Sequence, residues 1–271
     1  MIPPEPQPDQ RPERWDDHVS VYEAVFEPFT GQFAEPAIER LKLAAGNRVL
    51  DVGAGTGGAA LALAERGTIV TAIDASANMC DRIAERVRDR NLRVTVAAMD
   101  GQSLDFPNAT FDAALSVFGV ILFPDAVRGL AEMRRVVRPG GRVAVVTWTQ
   151  PQTYELAGAL RAAISAVRPN QPAAPLPAQL RYRERADFAA LFEAAGFAHA
   201  EIEVHSAHLK APNARWLAER IGFAPGMAAQ LEGLGADRVA VVDKLITDLK
   251  ARFGSGHVSL GAKGFVGHSI V

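Results

Sequence analysis

The chain predicts an α/β fold in which a doubly wound, mainly parallel sheet is covered by helices on both faces. Two observations carry this. Short stretches of strand character at 48–52, 68–74, 92–98, 111–117 and 142–148 alternate with helical patterns. Those stretches are also near-continuously apolar, as strands covered on both sides must be. Size agrees, since 271 residues that are 48% hydrophobic suffice for one large α/β domain with an elaboration, or for two small domains.

Residues 1–14 carry Pro3, Pro4, Pro6, Pro8 and Pro12 among polar residues, a composition expected to stay extended or disordered. A helical cap over 15–43 follows, with Tyr22, Val25, Phe26 and Phe29, then Phe33, Ala37, Ile38 and Leu41, at helical spacing and a break at Pro28. A core over 44–150 holds the five strands. Its helices run from about 57 to 66, stopped by Gly67; from an N-cap at Ser76, with Met79, Ile83 and Val87 on one face; and from about 125 to 137, ended by Pro139-Gly140-Gly141. Residues 151–271 are expected to complete the sheet. They begin with a helix near 153–167, a proline-rich loop (Pro169, Pro172, Pro175, Pro177) and a helix over 187–195 stopped by Gly196. A strand at 200–208, helices at 213–221 and 236–253, and a weak strand at 264–271 follow. The stretch of about 209–254 is expected to form a helical lid.

Charge and cysteine usage exclude several classes. The net charge is −2 and no long Lys/Arg run appears, so no nucleic-acid partner is expected; Arg134-Arg135 and the arginines at 181–185 read as solvated helix faces. Cys80 is the only cysteine, which rules out an internal disulfide and a cysteine-based zinc site, and it reads as half-buried and structural. No signal pattern and no membrane span are seen, so a cytoplasmic location is expected.

Residues 49–58 read Val-Leu-Asp-Val-Gly-Ala-Gly-Thr-Gly-Gly, a strand that runs into a glycine turn and then a helix. Such a turn lets the backbone approach a ligand closely, and the helix start offers unsatisfied N–H groups. Two cofactor classes use it. Gly53, Gly55 and Gly58 have the spacing of a dinucleotide pyrophosphate site, which would make the chain an NAD(P)-dependent oxidoreductase. Asp51 with Gly53, Gly55 and Gly57 has the spacing of an S-adenosylmethionine site. The acids discriminate, because ligands bind at the carboxyl ends of parallel strands and Asp51, Asp74 and Asp100 fall there. Asp74 suits the ribose of either cofactor. Asp51 and Asp100 oppose a pyrophosphate and favour a sulfonium and an ammonium.

Beyond the turn, 49–61, Asp74, 98–107 (Ala-Met-Asp-Gly-Gln-Ser-Leu-Asp-Phe-Pro), 110–119 (Thr-Phe-Asp-Ala-Ala-Leu-Ser-Val-Phe-Gly) and 135–146 (Arg-Val-Val-Arg-Pro-Gly-Gly-Arg-Val-Ala-Val-Val) follow in order. Together they resemble the motifs of class I S-adenosylmethionine-dependent methyltransferases, in the small-molecule branch of the ubiquinone and menaquinone C-methyltransferases (methyltransferase type 11). The likeness covers about 48–148. It implies a Rossmann-like, mainly parallel seven-stranded sheet with an antiparallel last strand, N-terminal helices and a helical lid insertion. It also implies roles. Asp51 and the turn of Gly53, Ala54, Gly55 and Gly57 would hold the methionine end of S-adenosyl-L-methionine, and Asp74 the ribose hydroxyls. Ala75 and Met79 would flank the adenine, Asp100 would accept from its amino group, and the Gly101 and Gln102 backbone would meet the ring. Ser116 and Phe118 would lie near the transferred methyl, with Trp15 and Tyr22 closing over the cofactor. Plain readings stand beside these: Asp74 and Asp100 as caps, Met79 and Phe118 as core, Asp105 and Asp112 as turn and surface residues.

Methyl transfer from a sulfonium is a direct displacement that needs alignment and exclusion of water more than a dedicated catalytic group. No catalytic base is assigned; His18, His205 and His208 are the imidazoles considered, each also readable as structural. No metal-ligand spacing is found, so no metal is expected. The fourth strand ends Ser116-Val-Phe-Gly119 and lacks the Asn/Asp-Pro-Pro-aromatic signature of enzymes acting on nucleic-acid bases or glutamine amides. The expected acceptor is therefore a small molecule, planar or hydrophobic, methylated on O, N or C; Phe26, Phe29, Trp148, Trp216 and Phe223 would suit it or would be ordinary core. A non-catalytic S-adenosylmethionine-binding protein is the other alternative, and a homodimer stays open.

Overall fold

In a computed structural model the fold is described for residues 5–170 and 176–271. Seven strands form one sheet: β1 Arg48–Val52, β2 Ile69–Asp74, β3 Val94–Ala98, β4 Phe111–Val117, β5 Val137–Trp148, β6 Glu201–Ala211 and β7 Val258–Ile270. Their spatial order is β3-β2-β1-β4-β5-β7-β6. Neighbours from β3 to β5 pair in parallel, and β7 runs antiparallel to both β5 and β6. The expected mainly parallel sheet with an antiparallel last strand is thus present. Strand order reverses between β1 and β4, which opens a crevice at the carboxyl ends of those strands.

Eleven α-helical segments accompany the sheet among the described residues: α1 Pro12–Trp15, α2 Val19–Val21, α3 Glu27–Arg40, α4 Gly58–Glu65, α5 Ala77–Arg90, α6 Ala126–Val136, α7 Glu155–Val167, α8 Arg185–Ala194, α9 Ala214–Glu219, α10 Pro225–Glu232 and α11 Arg238–Phe253. The sheet separates two cores, and the period-two geometry of a strand sorts residues between them. Val49, Ala113, Leu115, Ala144 and Val146 join Phe29, Phe33, Ala60 and Leu63 of α3 and α4. Their neighbours Leu50, Val52, Ala114, Val143 and Val145 join Leu130, Met133, Phe188 and Phe192 of α6 and α8. Both faces are covered, which is why these strands read as continuous apolar runs.

The structure differs from the sequence expectations in several places. Residues 8–10 form a 3-10 turn and Pro12 opens α1; Asp9 is buried, so this part of the proline-rich segment is packed rather than disordered, whereas residues 1–4 lie outside the described residues. Strand β7 covers the expected stretch from 264 and begins six residues before it, at Val258. Packing explains the glycines within it: a Cβ on Gly264 would stand 2.9 Å from the Phe33 ring and one on Gly267 2.7 Å from Phe188. Helix α10, between the expected helices at 213–221 and 236–253, was not anticipated; Pro225 opens it and Gly233 closes it. Pro172 and Pro175 of the expected loop lie outside the described residues.

Candidate functional site

The chain leaves β1 through Gly53, Gly55 and Gly57 at φ of +69°, +56° and +90°, the left-handed region that only glycine enters without strain. The N–H groups of Gly53 and Ala54 donate to the Ile73 carbonyl, both at 2.9 Å, which ties the turn to β2. Asp74, at the end of β2, accepts from the N–H of Gly55 at 2.8 Å and of Ser76 at 2.9 Å. Ser76 caps α5 by accepting from the Met79 N–H, and its own hydroxyl donates to Asp16 at 2.6 Å. The N-terminal cap is therefore latched to the rim of the crevice.

Gly58, the residue that completes the dinucleotide spacing, serves another purpose. Glu27 packs over it so closely that a Cβ would lie 2.8 Å from the carboxyl carbon. This carboxylate accepts from the Thr56 hydroxyl and from Arg86 at 2.7 Å. An acid already sits beside the start of α4, where a pyrophosphate would have to bind.

A cleft of about 1000 Å3, its open mouth included, lies over the turn. Of the residues singled out in the sequence, Tyr22, Gly53, Gly55, Asp74, Ala75, Met79, Asp100, Gly101, Gln102 and Phe118 line it, as does Trp15. Asp51, Ala54, Gly57 and Ser116 do not. Asp51 lies beneath the turn, 1% exposed, with Oδ2 lacking any partner among the described residues. Gly57 packs against Ile83 as the N-cap of α4. Ser116 is spent on structure: its hydroxyl donates to the Val52 carbonyl at 2.7 Å and accepts from the Val120 N–H at 3.0 Å, holding β4 against β1. None of His18, His205 and His208 reaches the cleft. His18 bonds the Arg14 carbonyl, and His205 faces Glu203.

Burial dominates the electrostatics. Loss of solvent, reinforced by the charge of Asp74, pushes Asp51 up to about 7. Asp74 is pushed up to about 6 by burial, against the lowering effect of the N–H groups of Ser76 and Gly55. Two carboxylates that lack a counter-ion among the described residues are held where a cation would relieve both. Burial also pushes the Cys80 thiol up to about 11, which leaves it a protonated structural side chain.

On the other side an aromatic tier walls the cleft. Phe118 turns off β4 at φ +60° and stacks on Trp148 at 4.0 Å between centroids and 20° between planes. Trp148 stacks in turn on Tyr154 at 5.1 Å and 4°. Phe26 and Trp148 face the cleft, while Phe29 and Phe223 are buried in packing and Trp216 lies away from it. Sequence reasoning missed Asp9, Gln10, Phe123, Gln179 and Ala224, which also line the cleft. They come from loops and short turns with no periodic signal; only Pro12, a residue suited to opening a helix, hinted at structure before Trp15.

The sheet order, glycine turn and rim of acids define the class I methyltransferase fold. Residues 49–141 match the family model described as a methyltransferase domain. The chain is 42% identical over 105 residues to a phosphatidylethanolamine N-methyltransferase of Cereibacter sphaeroides, a match covering 38% of this chain and 51% of that protein. It is 40% identical over 113 residues to a demethylmenaquinone methyltransferase of Corynebacterium kroppenstedtii, covering 42% and 47%. The chain spans about half the length of the curated relatives it matches. The solved structure of the YcgJ protein from Bacillus subtilis superposes with a TM-score of 0.58 at 21% identity, covering 88% of this chain and 97% of that one.

Proposed function

We propose that the chain transfers a methyl group from S-adenosyl-L-methionine to a small acceptor. One observation carries this reading: among the described residues the charged side chains lining the cleft are Asp9, Asp74 and Asp100, with no lysine or arginine. Such a lining suits a ligand bearing a sulfonium and an ammonium and repels a pyrophosphate. The orphaned Oδ2 of Asp51 and the raised acids fit the same group.

In this reading the ribose hydroxyls donate to Asp74, whose oxygens keep free lone pairs beyond the two N–H bonds they accept. Met79 and Ala75 pack on the adenine, and Asp100, held by the Gln102 N–H at 2.9 Å, accepts from its amino group. Asp51 supplies negative field rather than a direct contact, because it is buried and does not line the cleft. The cofactor supplies an electrophilic methyl carbon. The protein aligns the acceptor against it and, with Trp15, Tyr22 and Phe118, excludes water.

Calorimetric titration with S-adenosyl-L-methionine should show micromolar binding that Asp74→Ala abolishes. Tight NADH binding with no response to S-adenosyl-L-methionine would overturn the reading. Recovery of labelled methyl groups in a product separates an enzyme from a protein that only binds the cofactor.

A further inference from the structure

Asp9 is a buried carboxylate in the cleft that belongs to none of the strand ends, and its position is fixed from three sides. Its carbonyl accepts from the Trp15 indole at 3.0 Å. Its Oδ1 accepts from the Gly226 N–H at 2.6 Å, in the first turn of α10. The neighbouring Gln7 accepts from the Ala178 N–H at 2.7 Å. Gly226 is a glycine for this reason, since a Cβ there would lie 2.3 Å from Oδ2. Oδ2 itself has no hydrogen-bond donor among the described residues. The surroundings are apolar and aromatic: Phe26, Trp148 and Ala224 line the cleft with it.

Resting on the methyltransferase reading above, we propose that Asp9 is the catalytic base of the acceptor pocket. In this role its Oδ2 accepts a hydrogen bond from the hydroxyl of a neutral phenol lying against Phe26 and Trp148. The acceptor oxygen bonds to the methyl carbon, the C–S bond breaks with its electron pair passing to sulfur, and the hydroxyl proton passes to the Asp9 carboxylate. The products are an aryl methyl ether and the thioether S-adenosylhomocysteine. Phenol is the class favoured for two reasons. The flat walls suit an aromatic ring. A lining that holds acids and no basic side chain repels an acceptor bearing carboxylate or phosphate. Burial raises the pKa of Asp9, with the Gly226 N–H and His18 opposing, which makes the carboxylate a stronger base than a solvated one. Burial, and with it the charge of Asp9, raises the pKa of Tyr154, whose buried hydroxyl also lacks a partner among the described residues.

The test titrates the full chain, saturated with S-adenosylhomocysteine, with three probes of one shape: 2-naphthol, 2-naphthoate and naphthalene. The expected result is that 2-naphthol binds about tenfold more tightly than either other probe, and that Asp9→Asn removes this preference. Formation of 2-methoxynaphthalene from 2-naphthol and S-adenosyl-L-methionine should fall about 100-fold in kcat in this variant, with a smaller change in KM. Unchanged S-adenosylhomocysteine affinity certifies that the variant is folded; if it is not, Asp9→Ser replaces it. Equal binding of the three probes, an unaffected variant, or 2-naphthol binding without ether formation overturns the proposal and leaves the cofactor reading intact. Failure of the wild-type chain to bind S-adenosylhomocysteine overturns both.

Discussion

Asp51 and Asp74 ionise against burial, so their behaviour with pH tests the site directly. In the free protein their values are raised to about 7 and about 6, above the 3.8 of an unfolded aspartate. The folded state thus binds more protons than the unfolded state between about 4 and 7. The stability these groups contribute is fully present below 3.8 and is lost as pH rises through 6 and 7. A cationic ligand has the opposite preference, because it binds the ionised acids and releases protons. Affinity for S-adenosyl-L-methionine should therefore tighten from pH 5.5 to 8, and Asp51→Asn should flatten that slope. A slope that is flat in the wild type, or unchanged in the variant, counts against the cation assignment. The glycine turn gives a second prediction. At Gly55 a Cβ would sit 3.2 Å from Tyr22 at φ +56°, so Gly55→Ala should cost about 1–2 kcal/mol in a thermal or denaturant melt. It should weaken S-adenosylhomocysteine binding as well, since Tyr22 is displaced from the mouth of the cleft.

Between elements, the most telling contact joins α3, α4 and α5. Glu27 and Arg86 form a well-buried pair at 2.7 Å, their side chains 16% and 12% exposed, and Arg86 also donates to the Thr56 carbonyl. Removing one partner leaves the other charge buried, so Glu27→Ala should lower stability by about 3 kcal/mol in chemical denaturation. A change under about 0.5 kcal/mol would mean that water reaches the pair. The last strand offers a packing counterpart: Gly264→Val forces Phe33 aside and should cost about 1–3 kcal/mol. Most elements were legible because their signals are local. The apolar strands, the Ser76 cap and the stop at Gly67 need only a few neighbouring residues. Strand β7 was legible only from 264 onward, and helix α10 was not legible, because its Gly226 answers to a side chain far away in sequence, Asp9. Within the site, Asp74, Asp100 and the glycines fell where strand ends put them. Ser116 and Gly57 turned out to support the scaffold, and periodicity gave no way to see that.

Across the molecule, the cleft draws on residues from Asp9 to Ala224, so the binding of a ligand should register far beyond the turn. Saturating S-adenosylhomocysteine, at about 100 times its dissociation constant, should stabilise the chain by about 2.7 kcal/mol in thermal melts. Hydrogen exchange should slow both over 53–58 and over 8–26, because Trp15 and Tyr22 face the same cleft. Protection confined to 53–58 would mean that the N-terminal cap takes no part. Among the described residues no helix is long and apolar enough to cross a membrane. The sequence by itself determined the doubly covered sheet, the glycine turn and the acids at strand ends, since each follows from residues adjacent in the chain. Only the tertiary structure decided which acids line the cleft and which, like Asp51, lie buried outside its lining. It alone carried Asp9 from a proline-rich beginning to the aromatic wall of the cleft, through hydrogen bonds to Trp15 and Gly226. Contacts across more than 200 residues are fixed by packing and hydrogen bonding in three dimensions, and no local pattern encodes them.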